Sequence, residues 1–247
     1  MNGSPNIDVV VLCGGLGARL GACGGMIQKC LLPWKGKSII VHALDAVVSV
    51  LPSARVTLAV GHLSSQVRHQ LGSSYCGLSL IYDETPPGVG CRRALCSASQ
   101  EGVNPVLCIH GDICVPVSFV AGLIGAWHDM QGNGLQMLTA ATPHPHIAET
   151  HPRLEIENGV VCKYRTVPSP GLAQLPLSEI GCTICSRALV KRLGLISGLE
   201  LSEAVEFAHT EGVALSAIVF NEPWWHFAEI EEFFPSPQSP NCFRVNA

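Results

Sequence analysis

Charge and long apolar runs are both scarce in this chain. Only 14% of the 247 residues are Asp, Glu, Lys or Arg, the net charge is −4, and the sequence has no basic stripe. A nucleic-acid-binding surface is therefore not expected. No apolar run approaches the roughly 18 residues that a membrane span needs, and the first residues, MNGSPNID, lack the charged and then apolar pattern of a secretion signal. We expect a soluble, cytoplasmic protein without a membrane partner.

Aromatic residues are also few, at 6%, whereas hydrophobic residues reach 47% and cysteines number 12. The length and apolar fraction suit one α/β domain with a sizeable core. Most cysteines lie in apolar, strand-like runs, including the single C-x-x-C pair, Cys182 and Cys185, so we interpret them as small buried hydrophobes. The histidine-rich segment 144–151 is interpreted as a solvated loop.

A glycine-rich turn follows the first apolar segment of the chain. Val9–Leu12 has the composition of a buried strand and leads directly into this turn. Its glycines are Gly14, Gly15 and Gly17. Glycine has no Cβ, so the backbone N–H groups of such a turn can approach an anion closely. The segment therefore predicts a phosphate-binding loop, with a plain tight turn as the simpler alternative.

Two basic residues support the phosphate interpretation. Arg19 can contact a phosphate through two parallel hydrogen bonds, and Lys29 can supply a movable point charge.

Two commoner glycine motifs do not fit. Leu20 occupies the place of the third glycine in the dinucleotide fingerprint, and Leu31 occupies the place of the first glycine in a P-loop that would end at residues 36–38.

The same segment resembles the sugar-1-phosphate nucleotidyltransferases, whose pattern is roughly LAGGxGTRLxPxTxxxPKxLLPVxGKPxI. This chain has LCGGLGARL at residues 12–20 and QKCLLPWKGKSII at residues 28–40, at the family's spacing. Ala18, Gln28 and Ser38 depart from the pattern without removing a charge. The resemblance implies that Leu12 and the three glycines bind the nucleotide. It also implies catalytic roles for Arg19, on the departing pyrophosphate, and Lys29, on the phosphates around the reacting centre.

Strand-like and helix-like segments alternate through the first half of the chain and become shorter strands beyond Pro143. Such alternation predicts an α/β protein with a mostly parallel, mixed central sheet and helices on both faces. The resemblance implies a Rossmann-like nucleotidyltransferase fold with a small sugar-binding insert. We assign a single domain to residues 1–234, with a nucleotide-binding half (1–142) and a sugar-binding half (143–234). Residues 235–247 are expected to be a loose tail.

A carboxylate follows the apolar strand Val106–His110, in the pair Gly111-Asp112. A side chain at the carboxyl end of a parallel strand points into the ligand crevice, and Mg²⁺ needs few protein ligands besides phosphates and water. A helix N-cap is the alternative role for Asp112. The family has a Gly-Asp at this place, with the aspartate on the metal, so the resemblance implies that Asp112 is a catalytic metal ligand.

The segment 223–233, PWWHFAEIEEF, resembles the family's closing motif, W-x-D-I-G-T-P-E-D-L. His226 falls on the aspartate that is usually the second metal ligand. A neutral imidazole suits Mn²⁺ or Co²⁺ better than Mg²⁺. Two interpretations stay open, since His226 either coordinates the metal or packs beside Trp224 and Trp225.

The segment 78–90 resembles the family's base-binding region, which ends in L-G-T-G/A-G. Gly88 would let the backbone pass close to a base. Asp83 falls where thymidylyl members carry a base-reading glutamine. An ionised carboxylate only accepts hydrogen bonds, and guanine offers two adjacent donors, so Asp83 favours GTP. The alternative is an aspartate that only supports the following turn.

The sugar-binding region matches less well. The family's G-x-V-x-x-F-x-E-K-P becomes GVVCKYRTVP at residues 159–168, and the Glu-Lys that contacts the sugar phosphate is missing. We expect Lys163 or Arg165 to replace that charge. Glu179, with Gly181 after it, stands where the family has I-N-A-G-I and is expected to hold a sugar hydroxyl.

The resemblance implies transfer of a nucleotidyl group from an NTP, with GTP favoured, to a sugar 1-phosphate, with release of pyrophosphate and with Mg²⁺, Mn²⁺ or Co²⁺ as cofactor. Guanylyltransferases for hexose or heptose 1-phosphates are the members that the chain resembles most. Two alternatives remain. The acceptor is a non-sugar phosphate, such as an alcohol phosphate or a cofactor precursor, or the chain is a catalytically silent nucleotide-sensing subunit. Homo-oligomer formation stays open.

Overall fold

The computed structural model describes residues 6–86, 89–130, 134–143, 151–167 and 174–227. The strands in these ranges are β1 (Asp8–Leu12), β2 (Pro33–Trp34), β3 (Lys37–Ser38), β4 (Val56–Val60), β5 (Ser74–Tyr75), β6 (Leu78–Glu84), β7 (Val106–His110), β8 (Ile113–Cys114), β9 (Met137–Thr142), β10 (Arg153–Glu157), β11 (Val160–Arg165), β12 (Leu177–Cys185), β13 (Leu215–Val219) and β14 (Trp225–His226). The α-helices are α1 (Ala22–Met26), α2 (Ile39–Val50), α3 (Ser64–Leu71), α4 (Gly90–Ala98), α5 (Val117–Met130), α6 (Arg187–Leu195) and α7 (Leu201–Thr210).

A mixed sheet of ten strands in these ranges forms the centre of the molecule, in the order β10-β11-β13-β9-β12-β7-β1-β4-β6-β5. Strands β7, β1, β4 and β6 are parallel neighbours. Strand β12 is antiparallel to β7 on one side and to β9 on the other, so strands from the second half of the chain extend the same sheet. The predicted α/β class with a mixed central sheet is confirmed.

Both faces of the sheet are covered by helices, which explains why its central strands are apolar at almost every position. In β1, Val9 and Val11 pack into one core with α2, α3 and α5. Val10 points to the opposite side and packs into a second core with α4, α6 and α7. The prediction of helices on both faces is therefore confirmed.

Two small strand pairs lie outside the main sheet, and no pattern in the sequence predicts them. β2 and β3 form a hairpin, and β14 pairs antiparallel with β8. The ring of Trp34, on the hairpin, lies 4.9 Å from the ring of Phe227, which follows β14. These contacts bring the segment around His226 back to the end of β7.

The longer predicted elements agree well with the structure. Helices α2, α3, α5 and α7 and strands β4 and β7 have the limits that the sequence pattern predicts, and the limits of the other predicted elements shift by one to three residues. No helix in the described ranges is both long and apolar enough to cross a membrane. The predicted tail at 235–247 lies outside the described residues, and the division into two functional halves stays a prediction.

Candidate active site

A cleft of about 590 Å³ lies at the carboxyl ends of the parallel strands, where ligands bind in open α/β sheets. Its walls come from the glycine-rich loop after β1, the end of β7, the middle of β12, and the first turns of α4 and α7. The predicted site residues that line it are Leu12, Gly14, Gly15, Gly17, Arg19, Lys29, Asp112, Glu179, Gly181 and His226.

The glycine-rich loop forms one wall, and its backbone depends on a glycine. Gly17 has φ +63°, in the left-handed region that a side chain rarely adopts. The chain then enters a short 3-10 turn, Ala18–Leu20. Leu20 is buried in this turn, whereas Arg19 is exposed and lines the cleft. The loop therefore presents backbone and a guanidinium group to the same space.

Lys29 and Asp112 meet at the base of the cleft. The Lys29 ammonium forms an ion pair with Oδ2 of Asp112, and the two side chains are only 14% and 15% exposed. Burial raises the pKa of a carboxyl group, but here the Lys29 charge and His226 outweigh burial and hold the pKa of Asp112 well below its usual range. Asp112 is thus a carboxylate at neutral pH.

Gln28 fixes the glycine-rich loop, a role that the sequence pattern does not predict. The side chain is 2% exposed. Its amide nitrogen lies 2.5, 3.1 and 3.2 Å from the carbonyl oxygens of Cys13, Gly15 and His62, and its amide oxygen accepts a hydrogen bond from the Cys30 N–H. The only sequence signal was that Gln28 replaces the proline of the resembled pattern. A buried primary amide can join several backbone groups in this way, whereas proline cannot.

His226 lies beside Asp112 because of the pairing of β14 with β8. In this pairing His226 is opposite Ile113, and the Phe227 N–H donates to the carbonyl oxygen of Asp112 at 2.9 Å. His226 Nε2 is then 3.5 Å from Asp112 Oδ2. The structure thus brings together the two predicted metal ligands, which are far apart in the sequence.

His151 corrects the interpretation of segment 144–151 as a solvated loop. Residues 144–150 lie outside the described part, but His151 is 6% exposed and lines the cleft. Its Nδ1 lies 2.8 Å from the carbonyl oxygen of Glu179, and its Nε2 lies 3.1 Å from His226 Nδ1. Burial, together with His226 and His110, lowers the pKa of His151 to about 3, so the ring is neutral. No periodicity in a loop could predict this burial.

Glu179 holds a buried cluster of hydroxyl groups. Oε1 accepts hydrogen bonds from Thr139 at 3.2 Å and from Thr183 at 3.1 Å, and Oε2 accepts one from the Tyr164 hydroxyl. Gly181, two residues on, has φ +74°, and a Cβ there would lie 2.9 Å from the His110 ring. Glu179 and Gly181 therefore lie in the cleft as expected, but these hydroxyls already occupy both Glu179 oxygens.

Lys163 and Arg165 lie away from the cleft, contrary to expectation. Because they are two residues apart on β11, both occupy the face opposite Tyr164, which lines the cleft. The Lys163 ammonium pairs with Glu155 at 2.6 Å, and Arg165 pairs with Glu206 at 3.4 Å. In this structure, neither of them replaces the missing Glu-Lys charge.

Asp83 lies on β6 and is not among the described residues that line the cleft. Its Oδ1 accepts a hydrogen bond from Ser97 at 3.2 Å. In the described part of the chain, its buried Oδ2 has no partner. Gly88, the other residue predicted for the base, lies outside the described residues.

Asp112 and His226 fit a divalent cation. Their side chains converge on the cleft, and Asp112 is ionised. No third His, Cys, Asp or Glu among the described residues completes a ligand group. Mg²⁺ and related ions are commonly held in this way, by one or two side chains with phosphate oxygens and water.

A family model matches residues 9–160 of the chain, and its description is "MobA-like NTP transferase domain". Among curated proteins, the bifunctional protein GlmU of Janthinobacterium sp. (strain Marseille) is 25% identical over 229 residues, which is 88% of this chain and 48% of that protein. The chain thus spans about half the length of this relative.

Solved structures agree on the fold. A UDP-glucose pyrophosphorylase superposes with a TM-score of 0.79 at 15% identity, over 92% of this chain and 95% of the other. The inositol-1-phosphate CTP transferase from T. maritima superposes with a TM-score of 0.73 at 13% identity, over 94% of this chain and 93% of the other. At these identities the likeness is one of fold.

Proposed function

Because the chain belongs to the family of MobA-like NTP transferase domains, we propose that it transfers a nucleotidyl group from an NTP to a sugar 1-phosphate and releases pyrophosphate. The observation that carries this proposal is the convergence of the glycine-rich loop, Arg19, Lys29 and Asp112 on one cleft. The family match supports nucleotidyl transfer, and the UDP-glucose pyrophosphorylase, which shares the fold, is named for a sugar-nucleotide reaction.

The reaction brings two phosphate groups together, so the protein must mainly position them and offset their charge. Backbone N–H groups of the loop contact the triphosphate, and Arg19 neutralises the departing pyrophosphate. Lys29 stabilises the charge at the phosphorus that is attacked. No protein nucleophile is needed, because the acceptor phosphate oxygen attacks the α-phosphorus and the bond to pyrophosphate breaks.

Asp112 and His226 are the residues that would hold a divalent cation. Such an ion, when bound, supplies a Lewis acid that reduces the negative charge on phosphate oxygens. Mg²⁺ is the cofactor we propose, with Mn²⁺ and Co²⁺ as alternatives because one of the two ligands is an imidazole.

GTP is the donor we propose. The unpaired, buried Oδ2 of Asp83 supports it, because a buried acceptor without a partner is unfavourable and guanine offers two donors. Asp83 does not line the described part of the cleft, so the proposal requires the base to extend to the end of β6.

An alcohol phosphate is a second candidate for the acceptor substrate. Arg19 and Lys29 are the only lysine or arginine side chains among the described residues that line the cleft. The rest of the lining includes Tyr164, Glu179 and His151, and both Glu179 oxygens already accept hydrogen bonds from protein hydroxyl groups. The inositol-1-phosphate CTP transferase shares the fold, and its name gives an alcohol phosphate as the acceptor.

A pyrophosphate-release assay tests the proposal. GTP, ATP, CTP and UTP are each combined with a panel of sugar 1-phosphates and alcohol phosphates. Release that depends on a sugar 1-phosphate supports the main proposal, and release that depends on an alcohol phosphate supports the second. If no pair releases pyrophosphate, the chain is a silent subunit and both proposals fail.

A further inference from the structure

The two histidines behind Asp112 form a hydrogen-bond chain that ends on a backbone carbonyl oxygen. A backbone carbonyl oxygen can only accept, so His151 Nδ1, 2.8 Å from the Glu179 carbonyl oxygen, carries a proton. His151 Nε2 lies 3.1 Å from His226 Nδ1, within hydrogen-bond distance. When His226 coordinates a cation through Nε2, its proton is on Nδ1 and is donated to His151 Nε2.

We propose that His151 is a positioning residue that fixes the tautomer and orientation of His226, so that His226 Nε2 presents a lone pair to a divalent cation beside Asp112. This inference rests on the proposed function, because that function supplies the reason for a metal ion.

The position of His151 is itself fixed. Its ring is buried and packs edge-on against Trp224, with centroids 5.8 Å apart, and edge-on against His226 at 4.5 Å. The Glu179 carbonyl oxygen belongs to β12, near the register shift between Glu179 and Thr183. The orientation of His226 is therefore tied to the central sheet through His151, and not only to the two-residue strand β14.

This arrangement has a chemical consequence. A histidine ligand usually donates its second ring N–H to a fixed acceptor, which holds the ring and raises the basicity of the coordinating nitrogen. An imidazole acceptor carries no negative charge, unlike a carboxylate, so His151 orients His226 without adding a negative charge to the site.

Mn²⁺ binding to the full chain tests the proposal without any nucleotide. The dissociation constant and the nitrogen signal in pulsed electron paramagnetic resonance are measured for the wild type and for His151→Phe, which keeps a ring but removes both nitrogens. We expect 10- to 100-fold weaker binding and a weakened nitrogen signal. His128→Phe, at an exposed histidine of α5, is the matched control and should change neither.

Two further variants separate positioning from folding. His151→Gln can still offer an acceptor to His226 Nδ1 and should bind Mn²⁺ within about threefold of the wild type, against the 10- to 100-fold loss. His151→Asn keeps a donor for the Glu179 carbonyl but is too short to reach His226, so it should behave like His151→Phe. In a His226→Ala background, His151→Phe should cause no further loss, whereas a merely structural role would still weaken binding.

Unchanged Mn²⁺ affinity and nitrogen signal in both His151→Phe and His151→Asn would overturn the proposal. A wild type that binds Mn²⁺ without a nitrogen signal would overturn it too, because His226 would not be a ligand. Neither result touches the proposed transfer reaction, which is measured by pyrophosphate release. Conversely, an intact nitrogen signal without any turnover would count against the reaction alone.

Discussion

The ammonium group of Lys29 forms an ion pair with the carboxylate of Asp112, 83 positions further along the chain. This pair joins the turn after the glycine-rich loop to the end of β7. It places a cation for phosphates and a carboxylate for a metal ion side by side, and both are largely shielded from solvent.

Removal of either cleft cation should abolish most of the activity. Arg19→Ala and Lys29→Ala should each lower kcat by about two or more orders of magnitude, because a preorganised charge at the phosphates is lost. Lys37→Ala and Arg55→Ala, which remove surface cations paired with Asp45 and Glu101, are the controls. Steady-state pyrophosphate release measures the effect. Near wild-type kcat in either cleft variant would exclude that residue from phosphate handling.

Loss of the Gln28 amide should destabilise the protein. Gln28→Leu leaves the carbonyl groups of Cys13, Gly15 and His62 without this donor, which should lower the free energy of unfolding by about 1–3 kcal/mol. Urea unfolding followed by fluorescence gives this value. Gln100→Leu, at an exposed glutamine, should change it by less than about 0.5 kcal/mol. Equal stability of the Gln28 and Gln100 variants would contradict the role of Gln28.

The Tyr164 hydroxyl should stabilise the fold through Glu179. Tyr164→Phe removes a hydrogen bond to a buried carboxylate, and we expect a loss of about 1.5–3 kcal/mol in the free energy of unfolding. Tyr82→Phe makes the same chemical change at a hydroxyl that contacts the Gly72 carbonyl oxygen near the surface, and it should cost less than about 1 kcal/mol. If the two variants are equally stable, the Glu179 cluster is not a stabilising network.

Asp83 should set the preference for the donor. If its carboxylate accepts from guanine, GTP gives the highest kcat/KM of the NTPs, and Asp83→Asn lowers that preference by about tenfold, because one acceptor becomes a donor. Ser97→Ala, which removes the present partner of Asp83, should leave GTP the preferred donor. A wild-type preference for UTP or dTTP would exclude guanine recognition by Asp83.

The elements that the sequence predicted are those with strong local signals. The apolar run Val9–Leu12 and the helical spacing in Ile39–Val50 depend on burial against a large sheet, and both appear where expected. The strand pair β8 and β14 has only two residues in each strand, so no periodicity exists to reveal it.

The candidate site likewise contains residues that the sequence predicts and residues that it does not. Arg19, Lys29 and Asp112 follow a motif with fixed spacing, and the structure places all three in the cleft. The burial of His151 depends on the path of a segment that has no regular pattern. Whether Tyr164 or its neighbours Lys163 and Arg165 face the cleft depends on which face of β11 is turned toward Glu179 of β12. Such facts follow from tertiary packing, which a single sequence does not display.

Isotope tracing of the acceptor phosphate tests the central claim most directly. The chain is incubated with GTP, a divalent cation and a sugar 1-phosphate whose phosphate oxygens are all ¹⁸O, and the products are analysed by mass spectrometry. Nucleotidyl transfer predicts a nucleoside diphosphate sugar that keeps every labelled oxygen, together with unlabelled pyrophosphate, and neither product with Asp112→Asn. Formation of GMP with the labelled acceptor unchanged, or no product from any NTP and acceptor in the panel, would contradict the account.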